Sequence, residues 1–223
     1  MLINTTDKYE NLFSKYNYNK SVYKYYSKDT IVENKYDRTK GDISFSHPST
    51  FNDPFDCNIY FEDNKDKSDM FRVLCLTEDQ NNILMWSYYA DDHKGYCLRY
   101  DLKDIIKAVN ELNLNGLCVI GEVIYSDSRP NIKKEVKNFS YTDIRHYIDV
   151  SFTKYKEWNH EREIRMVIIS NDFYKLNLKN ELYVTINVPV KNIIAGCKSD
   201  DYTNIKVNCK KQLTKSQKNY SLY

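Results

Sequence analysis

Apolar residues recur along this chain at two spacings, and each spacing predicts its own kind of element. Short runs with strand-type alternation or continuous apolar character predict strands at Val22 to Tyr26, at ISFS following Gly41, and at Phe71 to Leu76. Further strands are predicted at Tyr96 to Tyr100, Leu117 to Tyr125 and Leu182 to Val188. Helical spacing is clearest where Leu102, Ile105, Ile106, Val109 and Leu112 share one face, with Asp101 placed to cap the helix. Other helices are predicted from Thr6 or Asp7 through Tyr16, over Asp29 to Tyr36, over Asn81 to Ala90, and across most of Ile132 to Lys156. Pro48 to Cys57 holds two prolines and three Asn/Asp residues, which predicts a structured loop, and Gly196 marks a turn. Strands and helices alternate without a regular βαβ rhythm. The fold class expected is therefore α+β, with a mixed, mainly antiparallel sheet flanked by helices.

The segment WNHEREIRMVI, Trp158 to Ile168, reads as one more strand. On that reading Glu161, Glu163 and Arg165 share one face, while Ile164, Met166 and Ile168 point to a core. Two adjacent carboxylates repel, so the arrangement calls for a cationic neighbour or a chemical task. Arg165 is the expected counter-charge.

Composition narrows the picture only modestly. The chain has 223 residues, 41% of them apolar and 29% charged, which suits a single domain over residues 1–205. Residues 206–223 form a basic C-terminal tail. A net charge of +2 is too small to argue for nucleic acid by itself. The six cysteines form no C-x-x-C pair and several sit in apolar runs, as small core residues of a protein in a reducing cytoplasm would. No apolar leader and no run of transmembrane length is seen, so a cytoplasmic protein without membrane contact is expected.

Three segments carry residue types suited to chemistry. In SFSHPSTFNDPFDC, Ser44 to Cys57, Asn52, Asp53 and Asp56 form a polar turn that either satisfies its own backbone or contributes to a site. In LMWSYYADDHKGYC, Leu84 to Cys97, a helix would turn Leu84, Met85 and Tyr88 to the core and leave Trp86 and Tyr89 to one side. His93 then follows the helix end, either capping its carbonyls or joining the aromatics in a pocket for a planar ring. The Glu-x-Glu segment is the third. It makes either a cross-strand ion ladder or a pocket lined by Trp158 and His160.

YKYYS, FNDPFDC, MWSYYADDHKGYC, WNHEREIR and the late IIAGCK follow one another in the order that marks a bacterial family of uncharacterised proteins, which this chain resembles. More weakly, an early basic-aromatic strand, a middle Phe45-Ser46 strand and a late Glu-x-Glu resemble the ADP-ribosyltransferase fold, with its split sheet. That resemblance implies NAD as substrate and transfer of ADP-ribose to a protein or nucleic-acid acceptor, in a toxin or phage-defence role. It implies that Glu163 binds the ribose and stabilises the oxocarbenium-like species, and that Glu161 serves the acceptor. Lys24 would stand where Arg or His is usual, without Arg's planar fork. Tyr25, Ser46, Asn52, Trp86, Tyr89 and His93 would complete the NAD site, and no metal is implied. Two other readings stand beside it. One is a Mg²⁺- or Mn²⁺-dependent hydrolase or nuclease using Asp53, Asp56, His93, Glu161 and Glu163. The other is a non-catalytic interaction module, in which these motifs are absorbed in ion pairs and backbone hydrogen bonds. The enzyme reading requires Tyr25, Asn52, His93 and Glu163 to converge.

Overall fold

Strand β3 (Phe71–Thr77) organises the computed structural model, which describes residues 19–34, 41–53, 56–57, 68–114, 116–130, 141–171, 173–176 and 181–199. One edge of β3 pairs along its whole length with β8 (Glu163–Ser170), and β8 pairs in turn with β5 (Gly116–Glu122). The other edge is divided. At Thr77 it meets Tyr23 of β1 (Ser21–Tyr26), and at Val73 it meets Ser46 of β2 (Asp42–Ser46). From β1 the sheet continues through β4 (Tyr96–Asp101) to β10 (Asn192–Ala195), and from β2 to β9 (Tyr183–Asn187). All pairings in this eight-stranded sheet are antiparallel, and β3 is where it splits. A separate parallel pair joins β6 (Ile124–Ser126) to β7 (Thr153–Tyr155). The helices are α1 (Lys28–Asn34), α2 (Ile83–Tyr89), α3 (Leu102–Glu111) and α4 (Tyr141–Ser151). With a mainly antiparallel sheet and several helices, the fold is α+β. Among the described residues no helix is long and apolar enough to cross a membrane.

Both faces of the sheet are covered, which is why all eight residues of β8 are buried. Ile164, Met166 and Ile168 point into the larger core with Leu74, Leu76, Leu98 and the buried stripe Leu102, Ile105 and Val109 of α3. The opposite face carries two smaller apolar groups. One gathers Phe71, Val73, Val167 and Ile169 under Tyr147, Val150 and Phe152, and the other gathers Tyr25, Trp86, Ala90 and Cys97. Residues opposite one another in an antiparallel ladder share a face. The polar residues at the β3–β8 ends therefore lie on this second side, with both small apolar groups.

The structure corrects four sequence expectations. WNHEREIR is not one strand: Lys156–Glu161 forms a 3-10 turn, Arg162 adopts left-handed φ of 47°, and β8 begins at Glu163. The left-handed residue breaks the alternation, so Glu161 reaches the site from a turn. The stretch before it is not helical to Lys156 either, because α4 stops at Ser151 and β7 follows. The apolar face of α2 is rotated. Trp86 and Ala90 are buried one turn apart, whereas Ile83, Leu84 and Tyr88 are exposed. Finally, Leu117 to Tyr125 breaks at Val123, whose N–H donates to the Glu163 carbonyl at 3.0 Å. Asp101 occupies the cap position of α3 but makes no side-chain cap bond there. Expectations for residues 6–16, 35–36, 54–55, 132–140 and the 206–223 tail lie outside the described residues.

Asn82 fixes α2 to the site. Its Oδ1 accepts from the N–H groups of Leu84 (3.0 Å) and Met85 (3.2 Å), and its Nδ2 donates to the carbonyl of His160. Asn82→Ala is expected to cost about 1–2 kcal/mol in urea unfolding, the cap bonds being the larger part. A loss below about 0.3 kcal/mol would show the cap to be idle.

Candidate functional site

Five buried charged side chains meet at the start of β8. Arg165, fully buried on β8, donates from Nε to Glu163 Oε1 at 2.6 Å and from Nη2 to Oε2 at 3.2 Å. The other edge of its guanidinium grips Asp56, with Nη1 to Oδ1 at 2.7 Å and Nη2 to Oδ2 at 2.5 Å. Nη1 also reaches the Ser151 carbonyl at 2.7 Å. The second cation is Lys154 of β7. It donates to Glu161 Oε2 and, at 3.2 Å, to Glu163 Oε2, and lies 3.8 Å from Asp56 Oδ2. Three carboxylates thus share two cations. Arg165 serves Glu163 and Asp56, and Lys154 rather than Arg165 holds Glu161.

These surroundings drive the two glutamates apart in acidity. Burial alone would raise the Glu163 carboxyl, but Arg165 and then Lys154 overcome it and bring its pKa down to about 2. Glu161 is raised by burial, a tendency that Lys154 offsets in part and the Glu163 charge reinforces. Burial lowers and the three carboxylates raise the Lys154 ammonium, which ends above its ordinary range.

From this cluster a hydrogen-bonded path runs outward. The Tyr89 hydroxyl donates to Glu161 Oε1 at 2.6 Å and accepts from Asn52 Nδ2 at 3.3 Å. Trp158 covers Lys154, its ring centre 5.0 Å from Nζ, and its ring is 6.0 Å from that of His160. A second group adjoins this path, with Tyr89 packed against it. Tyr25 meets Trp86 edge-on at 5.1 Å, His93 lies nearly parallel to Trp86 at 6.4 Å, and Trp86 Nε1 donates to the Gln80 carbonyl at 2.9 Å. His93 is held there by a turn in which Asp91, Asp92 and His93 all have positive φ. The turn comes so near the end of β10 that a Cβ on Gly196 would lie 2.1 Å from the His93 carbonyl oxygen. Asn52 and Glu163 thus belong to one network, Tyr25 and His93 to the other, and α2 supplies a residue to each.

Two residues named from sequence sit apart. Lys24 points with Val22 and Tyr26 to the larger core's face and donates to the Cys75 carbonyl at 3.2 Å; burial lowers its pKa. Ser46 pairs with Val73 and Tyr183, well along β3 from Thr77. The strand lying between β1 and β8 is β3. The register Tyr23–Thr77–Glu163 puts Thr77 in the central position, where its hydroxyl donates to the Glu161 carbonyl at 2.9 Å. Lys154 and Thr77 were both missed: Lys154 lay in a stretch read as helix, and Thr77 lay one residue past the apolar run. For the metal reading, Lys154 and Arg165 occupy the space among Asp56, Glu161 and Glu163 that a cation would need, and His93 belongs to the other network. Among the described residues no group of three or more His, Cys, Asp or Glu is arranged to hold a metal ion.

Residues 85–166 match a family model described as "Protein of unknown function (DUF2971)". The matched stretch runs from α2 into β8. It contains Trp86, Tyr89, His93, Lys154, Glu161, Glu163 and Arg165, while from outside it Asn52 and Asp56 join the carboxylate network and Tyr25 joins the Trp86 group. No curated protein and no solved structure matches the chain.

Proposed function

We propose that this protein is an ADP-ribosyltransferase-like enzyme that uses NAD to modify a protein or nucleic-acid acceptor, in a toxin or phage-defence role in the cytoplasm. Tyr25 and His93 group around Trp86 beside the carboxylates rather than among them, so Tyr25, Asn52, His93 and Glu163 do not meet at one point. The observation that carries this reading is instead the row Tyr23–Thr77–Glu163 across β1, β3 and β8, beside the point where the sheet splits. It presents an ionised carboxylate at a strand start, with a second, less acidic carboxylate in the turn before it. In the reaction the bond between nicotinamide nitrogen and ribose C1′ breaks, and nicotinamide leaves with the bonding pair. Positive charge then develops on the ribose, which a carboxylate held ionised stabilises. The acceptor forms the new bond to C1′ and gives up its proton. Glu161, with Tyr89 leading to the surface, is placed to receive it. A ribose hydroxyl reaching Glu163 Oε2 must share that oxygen with Lys154 and Arg165.

A second reading has its own observation. Both oxygens of Glu163 and both of Asp56 are bound by Arg165, as they would be in a structural knot within an interaction module. The experiment that separates the two is nicotinamide release from NAD by wild type and Glu163→Gln. Release by the wild type, reduced at least tenfold by the substitution, supports the enzyme. No release with any acceptor, together with no NAD-dependent rise in melting temperature, leaves the knot.

A further inference from the structure

The row through Glu163 continues beyond Tyr23. Tyr23 pairs with Arg99 of β4, and Arg99 with Asn192 of β10, so Asn192, Arg99, Tyr23, Thr77 and Glu163 stand side by side across five strands. Opposed residues share a face, and this is the face that α2 covers at Tyr25 and Cys97, one pleat farther along. Thr77 and Glu163 are buried, while Tyr23, Arg99 and Asn192 are half-buried. The row therefore climbs from the carboxylate cluster toward the surface.

Arg99 is the anomaly in this row. Its Nε is enclosed yet has no hydrogen-bond partner, and among the described residues the guanidinium forms no ion pair. Neighbouring cations have partners: Lys24 the Cys75 carbonyl, Lys20 Glu78, Lys191 Asp104, Arg162 Asp79, and Lys154 and Arg165 the carboxylates of the cluster. The Tyr23 hydroxyl and the Asn192 amide also make no hydrogen bond among the described residues. A buried donor left without an acceptor is costly, and a guanidinium's planar fork suits phosphate oxygens. Arg99 and Glu163 are three strand spacings apart, about 14 Å at the Cα atoms. A nucleotide with its ribose at Glu163 would extend its phosphates along that span.

We propose that Arg99, with Tyr23 and Asn192, forms an anion subsite that binds the diphosphate of the nucleotide substrate. That the nucleotide is NAD rests on the function proposed above; that the subsite takes a diphosphate does not.

The test uses the full chain, titrated calorimetrically with inorganic pyrophosphate and with ADP-ribose, as wild type, Arg99→Ala and Arg99→Lys. Wild type is expected to bind both. Arg99→Ala should weaken both at least tenfold, and Arg99→Lys, which keeps the charge without the fork, should fall between them and guards against a folding defect. With NAD, Arg99→Ala should raise KM at least tenfold with kcat nearly unchanged, while turnover of nicotinamide riboside, which lacks phosphate, stays as in wild type. Unchanged pyrophosphate binding in Arg99→Ala, or none in wild type, overturns the subsite. Arg99-dependent pyrophosphate binding without nicotinamide release keeps the subsite and removes NAD. Nicotinamide release that ignores Arg99 does the reverse.

Discussion

Arg165→Met should destabilise the protein by about 3–5 kcal/mol in urea unfolding, the cost of breaking a buried ion pair by removing one partner. Arg165 is fully buried, and it is the principal donor to both Glu163 and Asp56. Methionine fills much of its volume and supplies none of its donors. Two carboxylates would then share Lys154, which Glu161 already occupies. Against a total stability of about 5–15 kcal/mol for a typical domain, such a loss brings the chain close to unfolding at room temperature. The penalty lies in the stranded charges more than in the lost bonds. Adding Glu163→Gln and Asp56→Asn to Arg165→Met should therefore restore most of the stability, even though three polar side chains have been altered. A single Arg165→Met costing under 1 kcal/mol would show that water or Lys154 already neutralises the cluster. A triple variant no better than the single would place the cost in packing.

The parts of this site written in local spacing were legible, and those set by long-range pairing were not. Glu163 and Arg165 share a face because they stand two positions apart on a real strand, which the alternation into Ile164, Met166 and Ile168 announced. Glu161 looked like the third member of that series. It arrives by a 3-10 turn and a left-handed Arg162, and positive φ at an arginine leaves no mark in the pattern of apolar positions. The helix of α2 was legible in extent but not in orientation. Leu84 and Tyr88 are apolar enough to read as core, yet Trp86 and Ala90 face inward because Tyr25 and Cys97 wait there on β1 and β4. Lys154 was hidden for a similar reason. Its β7 strand has three residues and pairs with β6, a partner about thirty residues distant, so no local period betrays it. Thr77 and Arg99 gain their places only from ladder register, which no single strand encodes by itself.

The second large effect expected is a loss of stability in acid that runs through Glu163. Its carboxyl has a folded pKa of about 2 against an ordinary value of 4.5, so the folded state prefers the ionised form. For a depressed carboxyl, that preference contributes in full above 4.5, declines as pH falls, and is gone below about 2. A fall of this size corresponds to about 3 kcal/mol. Glu161 works in the opposite direction: its raised pKa favours the folded state when it is protonated, and that contribution fades as pH rises through its folded value. That contribution is gained as pH falls to 4.5 and is constant below it, so it precedes the window from 4.5 to 2 in which Glu163 loses its own. Urea unfolding of wild type, Glu163→Gln and Glu161→Gln at several pH values from 7 to 2.5 separates the two. Glu163→Gln should be less stable at neutral pH and much flatter in acid, because the group that titrates there is gone. Glu161→Gln should lack the gain in stability that wild type shows as pH falls toward 4.5, and should follow the wild-type slope below it. If Glu163→Gln kept the acid slope of wild type, the linkage would belong to other carboxylates, and Arg165 would not be holding Glu163 ionised.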